Sequence, residues 1–135
     1  MFRKLTDSVY ASPQIGLDEV ARAAEEGFSL IINNRPEDES PDQVPGDAIA
    51  SAAKAAGLDY IAIPVTHAGF SEPQVRAMAE ALAGDGKVLA YCRSGTRSTL
   101  LWALAEASRG ASLEGLAQAA QQAGYDIAPV RAIAE

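Results

Sequence analysis

The stretch Lys87-Val88-Leu89-Ala90-Tyr91-Cys92-Arg93-Ser94-Gly95-Thr96-Arg97-Ser98 decides the fold of this chain. Its first five residues form an apolar run of the kind that is buried as a strand inside a parallel sheet. Residues 97–108 carry a helical pattern, so a short loop turns a strand directly into a helix. In an open α/β sheet, ligands bind beyond the carboxyl ends of the strands, and Cys92 stands at such an end. Gly95 allows a tight turn there, and backbone N–H groups curling into a helix N-terminus form a nest for an oxyanion. The same field, helped by nearby arginines, favours a thiolate over a thiol, which makes Cys92 the candidate nucleophile. Arg97 closes the loop and can turn its planar fork back over a bound anion, whereas Arg93 is expected to point outward. Arg93, Ser94, Gly95 and Thr96 line the cradle, Ser98 is placed to donate a hydrogen bond to the sulfur, and Thr99 belongs to the first helical turn. A lone cysteine at a strand end is more often a small buried hydrophobe. The glycine and two arginines that follow favour the anion site, because arginines beside a buried strand end would otherwise be costly.

Outward from this stretch, helical segments alternate with short β-rich runs, and several helices close at a glycine before a strand begins, an α/β signature. The pattern predicts a first edge strand at 9–11, a helix over 17–26 stopped by Gly27, and a central strand over 28–33. Residues 35–46 combine Pro36, Pro41 and Pro45 with Glu37, Asp38, Glu39 and Asp42 and read as a solvated loop. Asp47 is expected to cap a helix over 48–56, with Gly57 as its stop. A strand over 60–65 follows, its pairing expected to end at Pro64. Ser71 and Gln74 have the spacing of a capping box, and the helix they open places Val75, Met78 and Leu82 on one inward face. After the strand at 87–91 the pattern is helical only: 97–108, 113–123, and one more turn from Tyr125.

Length and composition bound the rest. The chain has 135 residues, 48% of them hydrophobic, enough for a single domain over 1–135 and too few for two ordinary ones. Eighteen acidic against eleven basic residues leave a net charge of −7, so neither nucleic acid nor an anionic membrane is expected as a partner. One cysteine and one histidine supply neither an internal disulfide nor a Cys/His zinc cage, and no metal or cofactor is expected. Residues 1–14 lack the apolar core of a signal peptide, and no apolar run approaches the roughly 20 residues of a membrane span. A soluble protein of the reducing cytoplasm is the expectation.

The loop from Cys92 to Ser98, together with Leu30-Ile31-Ile32-Asn33-Asn34-Arg35-Pro36, Tyr60-Ile61-Ala62-Ile63-Pro64-Val65-Thr66-His67-Ala68-Gly69 and the helical C-terminal part, resembles the phosphatase-like family found in bacterial beta-lactamase hydrolase-like proteins. The resemblance covers residues 2–124. It implies a protein-tyrosine-phosphatase-like α/β fold, with a central, mostly parallel sheet flanked by helices and the active-site loop between the last strand and a helix. It also implies a cysteine-dependent hydrolase acting on a small oxyanion or phosphorylated substrate. Cys92 would attack phosphorus, Arg97 would hold the equatorial oxygens, and Ser98 would assist hydrolysis. A functional link to a metallo-β-lactamase-like hydrolase, to which members of the family are fused, is implied as well.

Four residues separate Cys92 from Arg97, one fewer than is typical of that superfamily, and the loop is also similar to that of single-domain rhodaneses. That second likeness implies a persulfide on Cys92 and a sulfane-sulfur donor, so a sulfurtransferase is the runner-up. A non-catalytic oxyanion-binding module stands third. A rhodanese usually continues to another strand after its loop and helix and carries a His-x-x-Gly-Ala stretch in its first half; this sequence has neither.

The phosphatase superfamily usually supplies its general acid as an aspartate on a loop after an upstream strand. Here His67 stands at about that place and is the candidate acid, an imidazole with an ordinary pKa of about 6.5 suiting the task. The plain alternative is a solvated surface histidine. Asn34 and Arg35, at the end of another strand, are candidate substrate contacts; the alternative is that they brace a turn, with Arg35 pairing to Glu37 or Asp38. Tyr91 and Trp102 are expected in the core. Specificity would then lie in residues 35–46 and 66–70.

Overall fold

The computed structural model describes residues 2–66 and 68–134. Its strands are β1 (Arg3–Lys4), β2 (Val9–Ser12), β3 (Phe28–Asn33), β4 (Asp59–Ala62) and β5 (Lys87–Tyr91). They lie in the order β1-β2-β5-β3-β4, with β2, β5, β3 and β4 parallel and β1 antiparallel to β2. The strand expected at the edge, β2, is therefore an interior one. What covers it is a two-residue basic strand, too short and too polar to show in a hydrophobic pattern and suited by its charge to an exposed edge. The last strand in sequence, β5, is inserted between β2 and β3, so the loop that leaves it opens between two other strand ends.

Strand alternation divides the core in two. Ile31, Leu89 and Tyr91 point toward α1 (Leu17–Glu25) and α2 (Gly46–Ala55), where they meet Ile15, Val20 and Ile49. Ile32, Val88 and Ala90 point the other way, into a core shared with α3 (Glu72–Leu82), α4 (Thr96–Ser108), α5 (Leu113–Gln122) and α6 (Ala128–Ala134). Residues 98–105 of α4 are all buried, so this helix is enclosed on every side and its N-terminus is held firmly against the end of β5.

Two helix starts show how local chemistry sets the elements. Ser71 opens α3, its N–H donating to Gln74 Oε1 at 2.8 Å, as the capping spacing predicts. By contrast, α2 starts at Gly46 with Pro45 as N-cap, and Asp47 falls within the first turn. The anticipated cap is displaced because Glu37 reaches across from the preceding loop and accepts the Gly46 N–H at 2.9 Å. The ladder of β4 ends at Ala62, short of the anticipated 65, yet Ile63 and Val65 still donate their N–H groups to Asn33 O (2.9 Å) and Asn34 O (3.0 Å). The chain thus follows the end of β3 past Pro64. Beyond β5 the described residues form helices only, and α6 runs further than the single turn anticipated.

Candidate active site

Three strand ends meet at one level. Ser12, Tyr91 and Asn33 are register partners, so Cys92 leaves β5 between Pro13 and Asn34. The Cys92 N–H donates to Ser12 O at 3.3 Å and the Asn34 N–H to Tyr91 O at 2.8 Å, which carries the sheet one step into the loop. Cys92 is fully buried. Gly95 then takes φ 93°, a left-handed turn that a side chain resists, and a Cβ there would collide with the Tyr125 hydroxyl. The turn directs the Gly95 N–H onto Cys92 Sγ at 3.1 Å. Among the described residues no group accepts from the backbone N–H of Arg93, Ser94, Arg97 or Ser98. These open donors surround the start of a buried helix beside a sulfur atom, the arrangement that takes up an oxyanion. Ser94 Oγ donates to Thr96 Oγ1 at 3.0 Å, and Thr99 Oγ1 donates to Gly95 O at 2.9 Å, which ties the loop to the first turn of α4.

Arg97 turns back over the loop, and a carboxylate meets it. Its Nη1 donates to Glu39 Oε2 (2.7 Å) and to Val65 O (2.8 Å), and its Nη2 to Glu39 Oε1 (2.8 Å). The guanidinium also faces Cys92, with which it shares a side-chain hydrogen bond. Cys92 is among the groups acting on this guanidinium, whose pKa is raised chiefly by its hydrogen bonds to Glu39. Glu39 also accepts from Arg35 Nε at 2.9 Å, and its carboxyl is held down to about 2, first by Arg97 and then by Arg35, against the opposing effect of burial.

Arg35 itself is buried, with Nη1 on Gln14 Oε1 (2.9 Å) and Nη2 on Ser40 Oγ (3.1 Å). Every nitrogen of its fork is engaged, so it builds the site's wall. The pairing anticipated with Glu37 or Asp38 is replaced by Glu39, because Glu37 is taken by the N-terminus of α2. Residues 35–46 are correspondingly more than a solvated loop: their middle folds inward. The signal that points to Glu39 is charge balance, since a buried and a half-buried arginine at one site oblige a carboxylate nearby. Gln14 likewise escapes a motif reading; its N–H donates to Arg93 O at 3.2 Å and steadies the loop from the end of β2. Arg93 is exposed, as anticipated.

The Ser98 hydroxyl is turned from its anticipated direction. It donates to Asn34 Oδ1 at 2.7 Å, while Asn34 Nδ2 donates to Ile63 O at 2.9 Å and so fixes the amide with its oxygen toward Ser98. The hydroxyl proton stays on Ser98 and is aimed at Asn34 instead of the sulfur. Asn34 is fully buried and braces Ser98, the role weighed against substrate contact. His67 lies outside the described residues. Around it, Thr66 O accepts the Gly69 N–H at 3.1 Å, and Val65, two positions earlier, is the residue whose carbonyl holds Arg97. Tyr91 and Trp102 are in the core as expected, and burial pushes the Tyr91 hydroxyl pKa up. No described helix is long and apolar enough to cross a membrane, and no cluster of His, Cys, Asp and Glu suited to a metal ion is found among the described residues.

A mostly parallel sheet whose central strand delivers a thiol into a loop of open N–H groups, closed by an arginine at the start of a buried helix, defines a phosphatase-like chain with the protein-tyrosine-phosphatase type of fold. The crystal structure of a proposed phosphatase from Neisseria meningitidis Z2491 matches it with a TM-score of 0.85 and 30% identity, over 98% of this chain and 95% of that one. The structure of Tk-PTP in its active form has the same fold, with a TM-score of 0.70 and 18% identity over 94% of this chain and 87% of that one. The family described as beta-lactamase hydrolase-like protein, phosphatase-like domain, matches residues 1–109, and the chain belongs to it. A beta-lactamase hydrolase-like protein of Xylella fastidiosa (strain Temecula1) is 38% identical over 107 residues, 78% of this chain and 25% of the relative. One from Agrobacterium fabrum (strain C58) is 43% identical over 86 residues, 63% of this chain and 20% of the relative. The chain thus spans about a quarter or less of the length of these curated relatives.

Proposed function

We propose that this chain hydrolyses phosphate monoesters through a thiolate at Cys92. The observation that carries the reading is the gathering of donors about one thiol: the loop N–H groups from which no described residue accepts, and Arg97, which acts on Cys92 by charge and by a side-chain hydrogen bond. The Glu39 carboxylate accepts end-on from Nη1 and Nη2 of Arg97, so the Nε side of the fork can turn to the oxygens of a phosphoryl group. Sγ attacks phosphorus, an S–P bond forms as the ester P–O bond breaks, and His67, protonated, gives its proton to the departing oxygen. Water, deprotonated by the now neutral His67, then attacks phosphorus; the S–P bond breaks, inorganic phosphate leaves, and the thiolate returns. Charge gathering on the equatorial oxygens meets fixed donors throughout. For Ser98 to help the sulfur leave, its hydroxyl must give up Asn34, so Asn34 holds it in the resting state.

The sulfurtransferase reading has the loop spacing in its favour and little else, since only helices follow β5 among the described residues. Release of phosphate from a small aryl phosphate by the wild type, lost in Cys92→Ser with the fold retained, is the expected result. Undiminished turnover in Cys92→Ser overturns the proposal.

A further inference from the structure

We propose that Tyr125 is a positioning residue for the Cys92 thiolate, acting through the peptide between Ser94 and Gly95. This rests on the reading of Cys92 as a reactive thiolate. The Tyr125 hydroxyl donates to Ser94 O at 2.9 Å, and the Gly95 N–H of the same peptide donates to Cys92 Sγ at 3.1 Å. In a planar trans peptide the carbonyl and the N–H point in opposite directions, so a grip on one aims the other. Withdrawal of electrons at the carbonyl oxygen also strengthens the N–H as a donor, as in any chain of hydrogen bonds. One phenol thereby fixes both the direction and the strength of a hydrogen bond to the sulfur.

The surroundings are built for this contact. Tyr125 is buried, follows a left-handed Gly124 directly after α5, and returns its N–H to Ala120 O at 2.8 Å. The Arg3 guanidinium lies 5.1 Å from the centre of its ring, and Arg3 Nη1 donates to Ala123 O at 3.4 Å, so the first strand pins the aromatic residue from behind. On its other side the hydroxyl fills the space a Cβ at Gly95 would take. The charged and titratable groups around Cys92 are Arg97 from α4, backed by Glu39, and Tyr125 itself, backed by Arg3. Burial first, and Cys92 as well, push the phenol pKa up, so Tyr125 remains a donor at neutral pH. It lies beyond residues 1–109, the part the family match covers, so the C-terminal helices supply a determinant of the loop's chemistry.

The test is the ultraviolet absorbance of the thiolate against pH, each variant blanked against its own Cys92→Ser counterpart; a single cysteine makes the signal that of Cys92 alone. In Tyr125→Phe the midpoint moves to higher pH by roughly half a unit to one unit, the size expected for one hydrogen bond. Fluorotyrosine placed at 125, a stronger donor of nearly the same shape, moves the midpoint to lower pH, and this variant decides the matter where Tyr125→Phe fails to fold. Unshifted midpoints in folded variants overturn the proposal, because a role confined to packing leaves the thiolate where it was. The shift is read without turnover: a wild type that releases no phosphate defeats the hydrolase reading while the shift still upholds Tyr125.

Discussion

Glu39 serves two arginines with one carboxylate, end-on to Arg97 and through Nε of Arg35, and so fixes the direction in which the Arg97 fork is turned. Glu39→Gln keeps the length of the side chain but replaces a charge-assisted pair with a single acceptor, and the guanidinium loses its fixed direction. Displacement of a positioning group by about 1 Å commonly costs on the order of 10²-fold in rate, and a fall of that size in kcat/KM is expected from steady-state kinetics on an aryl phosphate. Acid adds a second readout. Folding takes the Glu39 carboxyl from an ordinary 4.5 to about 2, so the ionised group stabilises the fold fully above the first value. That stabilisation is lost as pH falls through the second. The stability gap between wild type and Glu39→Gln, followed by circular dichroism in denaturant, should be steady at neutral pH and close as pH approaches 2; a gap that persists there contradicts the ion-pair account. Cys92 and Arg97 are legible in the sequence because they share one short loop. Glu39 is not, because its partner Arg97 lies 58 residues away and nothing local marks which acid of residues 35–46 turns inward.

At the scale of elements, the loop is formed because β5 ends just before α4 begins and Gly95 permits the turn between them. Gly95→Ala forces a side chain into left-handed backbone, which costs about 1–2 kcal/mol, and drives its Cβ against the Tyr125 hydroxyl. Denaturant unfolding should show a loss of at least that size, with activity lost alongside; a variant as stable as wild type would mean that the turn tolerates a side chain. The elements most visible in the sequence are those with strong local patterns: β3 and β5 fall where their apolar runs place them, and α3 begins at its capping box. β1 is invisible because two basic residues carry no periodicity, and the start of α2 is misplaced because its N–H partner, Glu37, comes from outside the helix.

Across the whole molecule, α5 and α6 close the larger core with Leu116, Ala120 and Val130, joined by Tyr125 and Ile127 from the turn between them. A fragment cut after residue 109 leaves the α4 face of that core open and exposes several large apolar side chains, each contributing roughly 1.5–3 kcal/mol when buried. It is expected to lose the cooperative thermal transition that the full chain shows, and a fragment melting as sharply as the full chain would contradict this. Alternation of strands and helices conveys the α/β class, whereas strand order does not follow from it: the insertion of β5 between β2 and β3 is a tertiary choice made by α4 and its neighbours. The central claim is that Cys92 takes up phosphorus. Intact mass after rapid quenching from an aryl phosphate, with a parallel sample exposed to a sulfane-sulfur donor, tests it most directly. The account predicts a phosphoryl adduct on the wild type that is absent from Cys92→Ser; a sulfur adduct with no phosphoryl adduct would contradict it.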